Sequence, residues 1–214
     1  MAVVSKVIIA NMALANVGAR NSIESLTEES VEAKAVNLWY DFSRVLILEG
    51  YDWNFARKRA TLAAHTEAPP DNIWSYRYTY PADCVNMRKL QQPDFTTNPL
   101  FANTYLTLSQ PDAIPFDIEM NSIGNMKTIL TDLEDAIAVY TFDQQNVNLF
   151  SLHFVQTLAY ALGYNIAYQL TGKRSVQESM FQAYNIMLGQ AAMKDANEHV
   201  DRPPREAEGI RARS

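Results

Sequence analysis

The spacing of the hydrophobic residues changes twice along the chain, and this change limits the folds that the chain can adopt. From residue 3 to about residue 49, apolar side chains recur at the three-to-four-residue spacing of an amphipathic helix. From about residue 53 to about residue 142 they alternate with polar residues in short runs, which is typical of half-buried antiparallel strands. The helical spacing returns at about residue 148. The pattern therefore predicts two helices, a β-rich segment and two further helices.

Each predicted helix carries an apolar stripe that another element must cover. The natural packing for two such pairs is an antiparallel four-helix bundle. We therefore expect an α+β protein in which this bundle carries an inserted antiparallel β-rich lobe and an extended C-terminal tail. The stripe of the second helix consists of Val31, Ala35, Leu38, Trp39, Phe42 and Leu46, and that of the third consists of Phe150, Phe154, Leu158, Leu162, Ile166 and Leu170.

The same pattern suggests domain bounds. Residues 1–50 and 148–199 are expected to form the helical bundle, residues 51–147 the β-rich lobe, and residues 200–214 the tail. Within the lobe, 133–135 read as the tight link of a hairpin that joins 128–132 to 136–142. The tail has adjacent prolines and almost no apolar content, which predicts disorder in the free monomer.

Composition excludes several classes of protein. A net charge of −6 argues against tight binding of nucleic acid, because that affinity depends on basic neutralisation of phosphates. Cys84 is the only cysteine, so no disulfide can form within the chain, and it is expected to be a buried, inert thiol. Asn11 and Asn16 interrupt the first apolar run, which favours an amphipathic helix over a secretory signal. No run approaches the roughly 20 apolar residues that span a bilayer, so no membrane partner is expected.

No pattern in the sequence indicates a metal, a cofactor or a covalent catalyst. His65, His153 and His199 are far apart in sequence, and none has a second ligand one helical turn away. The sequence has no glycine-rich phosphate loop and no nucleophile elbow. We therefore expect no catalytic residue, no metal site and no cofactor.

One group of carboxylates leaves an enzymatic alternative open. Asp132, Glu134 and Asp135 lie close together in sequence. A glycan hydrolase acting on the bacterial envelope would need two carboxyl groups facing each other at about 5 to 10 Å. Neighbouring acids in a turn are more commonly solvated turn formers. The hydrolase is therefore the runner-up function.

The segment YDWNFARKRATLA, residues 51–63, predicts a break in strand phase. Trp53 and Leu62 are nine residues apart, an odd number, so in one flat strand their side chains would point to opposite faces. One flat strand therefore cannot bury both on the same face. The phase must switch near Phe55 or Ala56 through a bulge or a bend. We therefore expect three aromatic residues to seal the β-rich lobe onto the second helix, and we call them the junction aromatics: Tyr51, Trp53 and Phe55.

Three consecutive basic residues follow at once: Arg57, Lys58 and Arg59, here called the basic trio. They are expected to be exposed and to face a DNA channel or a protein partner. Two alternatives stay open. The trio could be a solvated strand edge, since charged edges discourage aggregation between sheets. It could also make the protein a nucleic-acid-binding module.

Five stretches in colinear order resemble the head-to-tail adaptor family of tailed bacteriophages, the proteins similar to tail tubular protein A. The resemblance covers about residues 7 to 190. The stretches are ALANVGARNSI, LEGYDWNFARKRATLA, YRYTYPADCVNMRKL, AVYTFD and YQLTGKRS.

The resemblance implies a structural virion protein without enzymatic activity. Such adaptors form a ring of about twelve copies, closed by a heterologous interface, between the portal protein and the tail or nozzle protein. Double-stranded DNA passes through transiently during packaging and ejection. The implied location is the head–tail interface of the virion, after assembly in the host cytoplasm. The family's C-terminal segment reaches toward the portal, which makes four tail residues candidate portal contacts: Arg202, Arg205, Arg211 and Arg213.

Overall fold

A computed structural model of the chain describes residues 4–70, 73–93 and 114–198. The described part contains four α-helices, six strands and two short 3-10 turns. The tail at 200–214 and its four candidate arginines lie outside the described residues. The helices are α1 (Lys6–Asn16), α2 (Val31–Gly50), α3 (Leu152–Thr171) and α4 (Arg174–Asn197); the strands are β1 (Arg57–Thr61), β2 (Tyr76–Thr79), β3 (Cys84–Gln91), β4 (Asp117–Met120), β5 (Lys127–Thr131) and β6 (Ile137–Phe142); the 3-10 turns are Asn54–Ala56 and Val147–Leu149.

The chain divides into two compact units, and α2 belongs to both of them. The β unit comprises residues 1–5 and Leu38–Leu149, and the helical unit comprises Lys6–Asn37 and Phe150–Ser214. One division therefore falls inside α2, whereas the sequence suggested a boundary at the end of that helix.

The antiparallel four-helix bundle predicted from the sequence is wrong, although the protein is α+β. The helices pack mainly as an α3–α4 pair, and α1 also packs against α3. The second half of α2 belongs to the β unit instead. The prediction treated all four apolar stripes as partners of one another, and periodicity alone does not say which element covers a stripe.

The stripe predicted for α2 lies largely on the exposed side of the helix. Leu38, Phe42 and Leu46 are 67%, 56% and 48% exposed. The buried side is a second set that also includes polar residues: Val36, Tyr40, Ser43, Arg44, Ile47 and Leu48. Both sides of α2 carry apolar residues, and long-range contacts decide which side is buried.

Helix α3 forms the centre of the helical unit, and its predicted ridge is confirmed for five of the six residues. Phe150 is 7% exposed, and the four that follow are fully buried: Phe154, Leu158, Leu162 and Ile166. The Ser151 side chain accepts a hydrogen bond from Phe154 N at the start of the helix. Gly172 ends the helix in the left-handed conformation, at φ 67°.

The β unit contains two three-stranded antiparallel sheets, with strand orders β1–β6–β3 and β2–β5–β4. The predicted hairpin between β5 and β6 is therefore wrong, because these strands belong to different sheets. The link between them bonds to other segments: Leu133 O accepts from Tyr78 Oη at 2.8 Å, and Ala136 O accepts from Leu62 N at 2.9 Å. The turn itself places Asp135 at φ 51°, in the left-handed region.

One hydrophobic cluster fills the β unit with side chains from both sheets. Its buried members are Leu62, Tyr78, Met87, Leu90, Ile129, Ala136, Ala138 and Tyr140. None of the helices in the described ranges is long and apolar enough to cross a membrane.

Gly163 on α3 generates a prediction for the helical unit. A Cβ at this position would lie 3.4 Å from Met180 Sδ and 3.5 Å from Val17 Cγ1, which is ordinary contact. Gly163→Ala should therefore leave the free energy of unfolding unchanged or raise it by up to about 1 kcal/mol through helix propensity. Gly163→Leu should lower it by roughly 1–3 kcal/mol, because the neighbours leave no room for a larger side chain. Urea unfolding measures both changes.

Gly189 on α4 provides the matched control, because a Cβ there would meet no atom within 4 Å. Gly189→Leu should not destabilise the protein. Equal tolerance of leucine at positions 163 and 189 would contradict the close packing of α3.

Candidate functional site

The junction aromatics lie where α2 gives way to the first sheet. Trp53 is fully buried, and its indole Nε1 donates to Ile47 O at 2.8 Å. Its ring packs edge-on against Tyr51 at 5.1 Å between centroids, and it lies 5.9 Å from Phe55. The phase switch predicted near Phe55 or Ala56 is present there as the 3-10 turn Asn54–Ala56. Trp53 therefore folds back onto α2, and the strand begins afresh at Arg57.

Arg88 on β3 holds the end of α2, and sequence reasoning missed it. Its Nη2 donates to the carbonyl oxygens of Leu48, Glu49 and Tyr51 at 3.3, 3.0 and 2.6 Å. Its Nε donates to Thr141 Oγ1 at 2.8 Å. The last carbonyls of a helix lack partners within the helix and carry partial negative charge, so a guanidinium is well suited to them. The contacts span 37 to 53 residues of sequence, which no local pattern reveals.

The basic trio does not form one basic surface. Arg57 donates to both carboxylate oxygens of Asp52, at 3.2 and 3.0 Å. Lys58 pairs with Asp83. Arg59 is exposed and forms no ion pair with any residue that the structure describes. Two of the three charges are therefore neutralised locally, and only Arg59 is fully available to a partner.

Lys58, Asp83 and Tyr140 form a small polar cluster beside the first sheet. Tyr140 Oη donates to Asp83 Oδ1 at 2.8 Å, and Lys58 Nζ lies 4.9 Å from the centroid of the Phe142 ring. Burial raises the pKa of the Asp83 carboxyl, but the hydrogen bonds from Lys58 and Tyr140 outweigh it and lower the pKa overall. The bond to Asp83 raises the pKa of Lys58. The cluster thus holds a fixed ion pair rather than a proton donor poised near neutral pH.

Cys84 follows Asp83 and is half-buried, whereas the sequence suggested a fully buried thiol. Its Sγ donates to Tyr80 Oη at 3.2 Å. Burial raises the pKa of the thiol, which disfavours the thiolate that acts as a nucleophile. The geometry therefore agrees with an inert thiol.

The acidic residues behind the hydrolase alternative lie in and beside the link between β5 and β6. Asp132 Oδ1 accepts from the backbone N and the Oγ of Ser75, at 3.0 and 2.9 Å. Glu134 and Asp135 are exposed. Asp132 therefore ties a turn to the chain before β2, which is a structural arrangement, and no contact of these residues favours glycan hydrolysis.

Two further arginines are buried and paired. Arg44 on α2 bonds to Asp143, to Gln144 O at 2.9 Å and to Asp41 at 3.2 Å. Arg77 on β2 pairs with Glu67 at 2.8 Å. Like Arg88, they use their charge inside the β unit, so they are not available to an external anion.

A surface cavity of about 720 Å³ lies in the helical unit, next to the ends of α1 and α3 and the start of α2. Its lining includes the cations Arg20 and Lys173, but also Glu32, which accepts from Asn21 at 3.0 Å. The mixed charges do not define the class of ligand that the cavity would bind. No group of three His, Cys, Asp or Glu side chains among the described residues could hold a metal ion.

No protein-family model matches the chain, and no curated protein sequence matches it.

Removing the Arg88 guanidinium should destabilise the β unit. Arg88→Met keeps an unbranched side chain but removes the guanidinium from the carbonyls of Leu48, Glu49 and Tyr51. Glu49 O keeps a bond from Asn86 Nδ2, and Tyr51 O keeps one from Trp53 N. Hydrogen bonds to a charged group contribute about 1.5–3 kcal/mol, so we expect a loss of about 2–3 kcal/mol in the free energy of unfolding. Urea unfolding measures it, with the exposed neighbour Lys89→Met as the control. A loss no larger than that of the control would show that Arg88 does not hold the helix end.

The Lys58–Asp83 pair should make stability depend on pH. The pKa of Asp83 is lowered in the folded protein. Its contribution is therefore fully present above the unfolded pKa of about 4 and is lost as the pH falls through the folded pKa. The stability difference between the natural protein and Asp83→Asn should be constant near neutral pH and should shrink below about pH 4. Urea midpoints between about pH 7 and about pH 2.5 test this.

Lys58→Met serves as the partner control for this experiment. Without Lys58 the carboxyl loses a hydrogen bond that lowers its pKa, so replacing Asp83 in that background should change the pH dependence less. An Asp83→Asn profile parallel to that of the natural protein at every pH would contradict the pairing.

Proposed function

We propose that the chain is a structural subunit of a bacteriophage head-to-tail adaptor, a ring between the portal protein and the tail or nozzle protein. The five colinear stretches support this class of protein. The structural observation that carries the proposal is the exposed apolar row on α2, formed by Leu38, Phe42 and Leu46 and here called the α2 row. In this role the protein is a virion component without enzymatic activity, assembled in the host cytoplasm and traversed by DNA.

The α2 row fits a contact between protein subunits. Its members follow one another at intervals of four residues, so they lie along one face of the helix. All three are about half exposed or more, and the Trp39 ring packs edge-on against Phe42 at 5.7 Å. A contiguous exposed apolar surface of this kind commonly marks a protein interface. In a closed ring each subunit presents one face to one neighbour and a different face to the other, and the α2 row would contribute to one of these faces.

The charge distribution suits a passage for DNA. The chain carries a net charge of −6. Arg57 and Lys58 are paired with Asp52 and Asp83. Few basic groups of this region therefore remain to grip phosphates, and DNA should pass without tight binding. Of the four tail arginines, Arg202 and Arg205 remain the proposed contacts with the portal.

Light scattering with the portal protein of the same phage tests the adaptor role. The natural protein should add to the portal ring in about twelve copies. Leu38→Lys combined with Phe42→Lys should weaken this assembly at least tenfold, roughly 1.4 kcal/mol or more, because two desolvated contacts are replaced by charges. The thermal midpoint should stay within a few degrees, since both side chains are exposed in the subunit.

Leu152→Lys is the control for an added surface lysine, because Leu152 is 69% exposed on another helix. It should assemble as the natural protein does. Failure of the natural protein to associate with the portal at micromolar concentration would overturn the adaptor role. An equal loss in Leu152→Lys would remove the α2 row as the contact.

A further inference from the structure

Strand β4 is the last strand of its sheet, and its outer edge presents backbone groups without strand partners among the described residues. It pairs with β5 in the register Asp117↔Leu130 to Met120↔Lys127. Asn121 N donates to Met126 O at 2.8 Å in the same register. Bonded pairs alternate in an antiparallel ladder, so the amides and carbonyls of Ile118 and Met120 point away from β5.

The Ile118 amide supports this assignment. Within the described ranges its only partner is the neighbouring Asp117 carboxylate, at 3.3 Å, which is a weak local contact. The opposite edge of the same sheet is occupied, because Thr79 N donates to Ala63 O and His65 N donates to Arg77 O. The outer edge of β4 is therefore the edge of this sheet to which another strand can add.

The side chains of β4 alternate in chemical character. Asp117 and Glu119 point to one face, are exposed and form no ion pair within the described ranges. Ile118 and Met120 point to the other face and are 41% and 49% exposed. A strand that adds here should carry basic residues at every second position and apolar residues between them.

The C-terminal sequence of this chain carries that pattern. Ile210-Arg211-Ala212-Arg213 alternates apolar and basic residues over four positions. Ile210 lies 13 positions beyond Asn197, where α4 ends, and an extended chain of that length reaches at most about 45 Å. The segment lies outside the described residues, and the match rests on the sequence and on the exposed edge of β4.

We propose that the outer edge of β4 binds the C-terminal segment Ile210–Arg213 of this chain as an added antiparallel strand. In this register the two basic residues face the two carboxylates, as Arg211 opposite Glu119 and Arg213 opposite Asp117. The apolar residues face each other as Ile210 opposite Met120 and Ala212 opposite Ile118. Backbone bonds supply affinity and the alternating side chains set the register, as in other strand-addition complexes.

The charges select this register over its neighbours. A shift by one residue would set Arg211 opposite Met120 or Ile118 and Glu119 opposite Ala212 or Ile210, depending on its direction, so charged side chains would face apolar ones. The inference goes beyond the adaptor role and does not need it, because no portal, tail protein or DNA takes part.

Hydrogen exchange of the full chain tests the added strand. The amides of Ile118 and Met120 should be protected in the natural protein. Arg211→Glu combined with Arg213→Glu should make both exchange about five to ten times faster, because the strand is repelled from β4. Adding Asp117→Lys and Glu119→Lys to that variant should restore protection, since the two signs are exchanged.

Arg202→Glu combined with Arg205→Glu is the matched control, because it reverses the same number of charges on the same tail. It should leave the two amides protected. Protection that persists in the Arg211→Glu, Arg213→Glu variant would overturn the proposal, since another segment would then occupy the edge. Rapid exchange in the natural protein would overturn it too.

A cross-link provides the second, independent test. In a Cys84→Ser background, Met120→Cys and Ile210→Cys should form a disulfide under mild oxidation. The mass of the product then identifies the source of the strand: one chain if the tail folds back on itself, two or more if it comes from a neighbouring copy. Moving the second cysteine to Arg211 should cut the yield severalfold, because that side chain points to the other face. Equal yields, or no disulfide, would contradict the register.

Discussion

The end of α2 depends on one guanidinium group from a distant strand. Helix α2 runs to Gly50, and its last carbonyls need donors that the helix cannot supply. Arg88 on β3 donates to Leu48 O and Glu49 O, with Asn86 as a second donor to Glu49 O, and Arg88 also bonds to Thr141 on β6. One side chain therefore fixes a helix end to two neighbouring strands. With α2 held there, Trp53 can fold back to Ile47 O, the 3-10 turn can form, and β1 can begin at Arg57 beside β6.

Arginines that bond inside the β unit recur in its structure. Arg44 and Arg77 are buried and Arg88 is half-buried, and each bonds to carboxylates or carbonyls of another segment of the chain. Removing one partner of a buried pair leaves an uncompensated charge, which costs several kcal/mol. These networks therefore hold a particular arrangement of loops and strands. They also withdraw basic groups from the surface, so the acidic balance of the chain is what a partner or a DNA duplex would meet.

The spacing of apolar residues predicted the helices and strands of this protein better than it predicted which of them pack together. The ridge of α3 from Phe150 to Ile166 and the strand break near Phe55 follow from periodicity, because each depends on residues close in sequence. The bundle and the β5–β6 hairpin failed because they concern which elements meet. Arg44 and Asp143 are 99 residues apart, and their contact lies on the side of α2 that the spacing had left exposed. Arg88 was missed for the same reason.

The β unit has two exposed surfaces with apolar side chains, the outer edge of β4 and the α2 row, and a protein without partners would need neither to be apolar. Charged residues on an edge strand can simply prevent aggregation, and Asp117 and Glu119 would satisfy that purpose alone. A protective edge does not need Ile118 and Met120 exposed on its other face, and a solvated helix does not need the α2 row. Exposed apolar side chains add a tendency to associate and contribute nothing to the stability of the subunit that bears them. Their exposure, beside a core that buries its other apolar side chains, is most simply explained if both surfaces are covered by a partner.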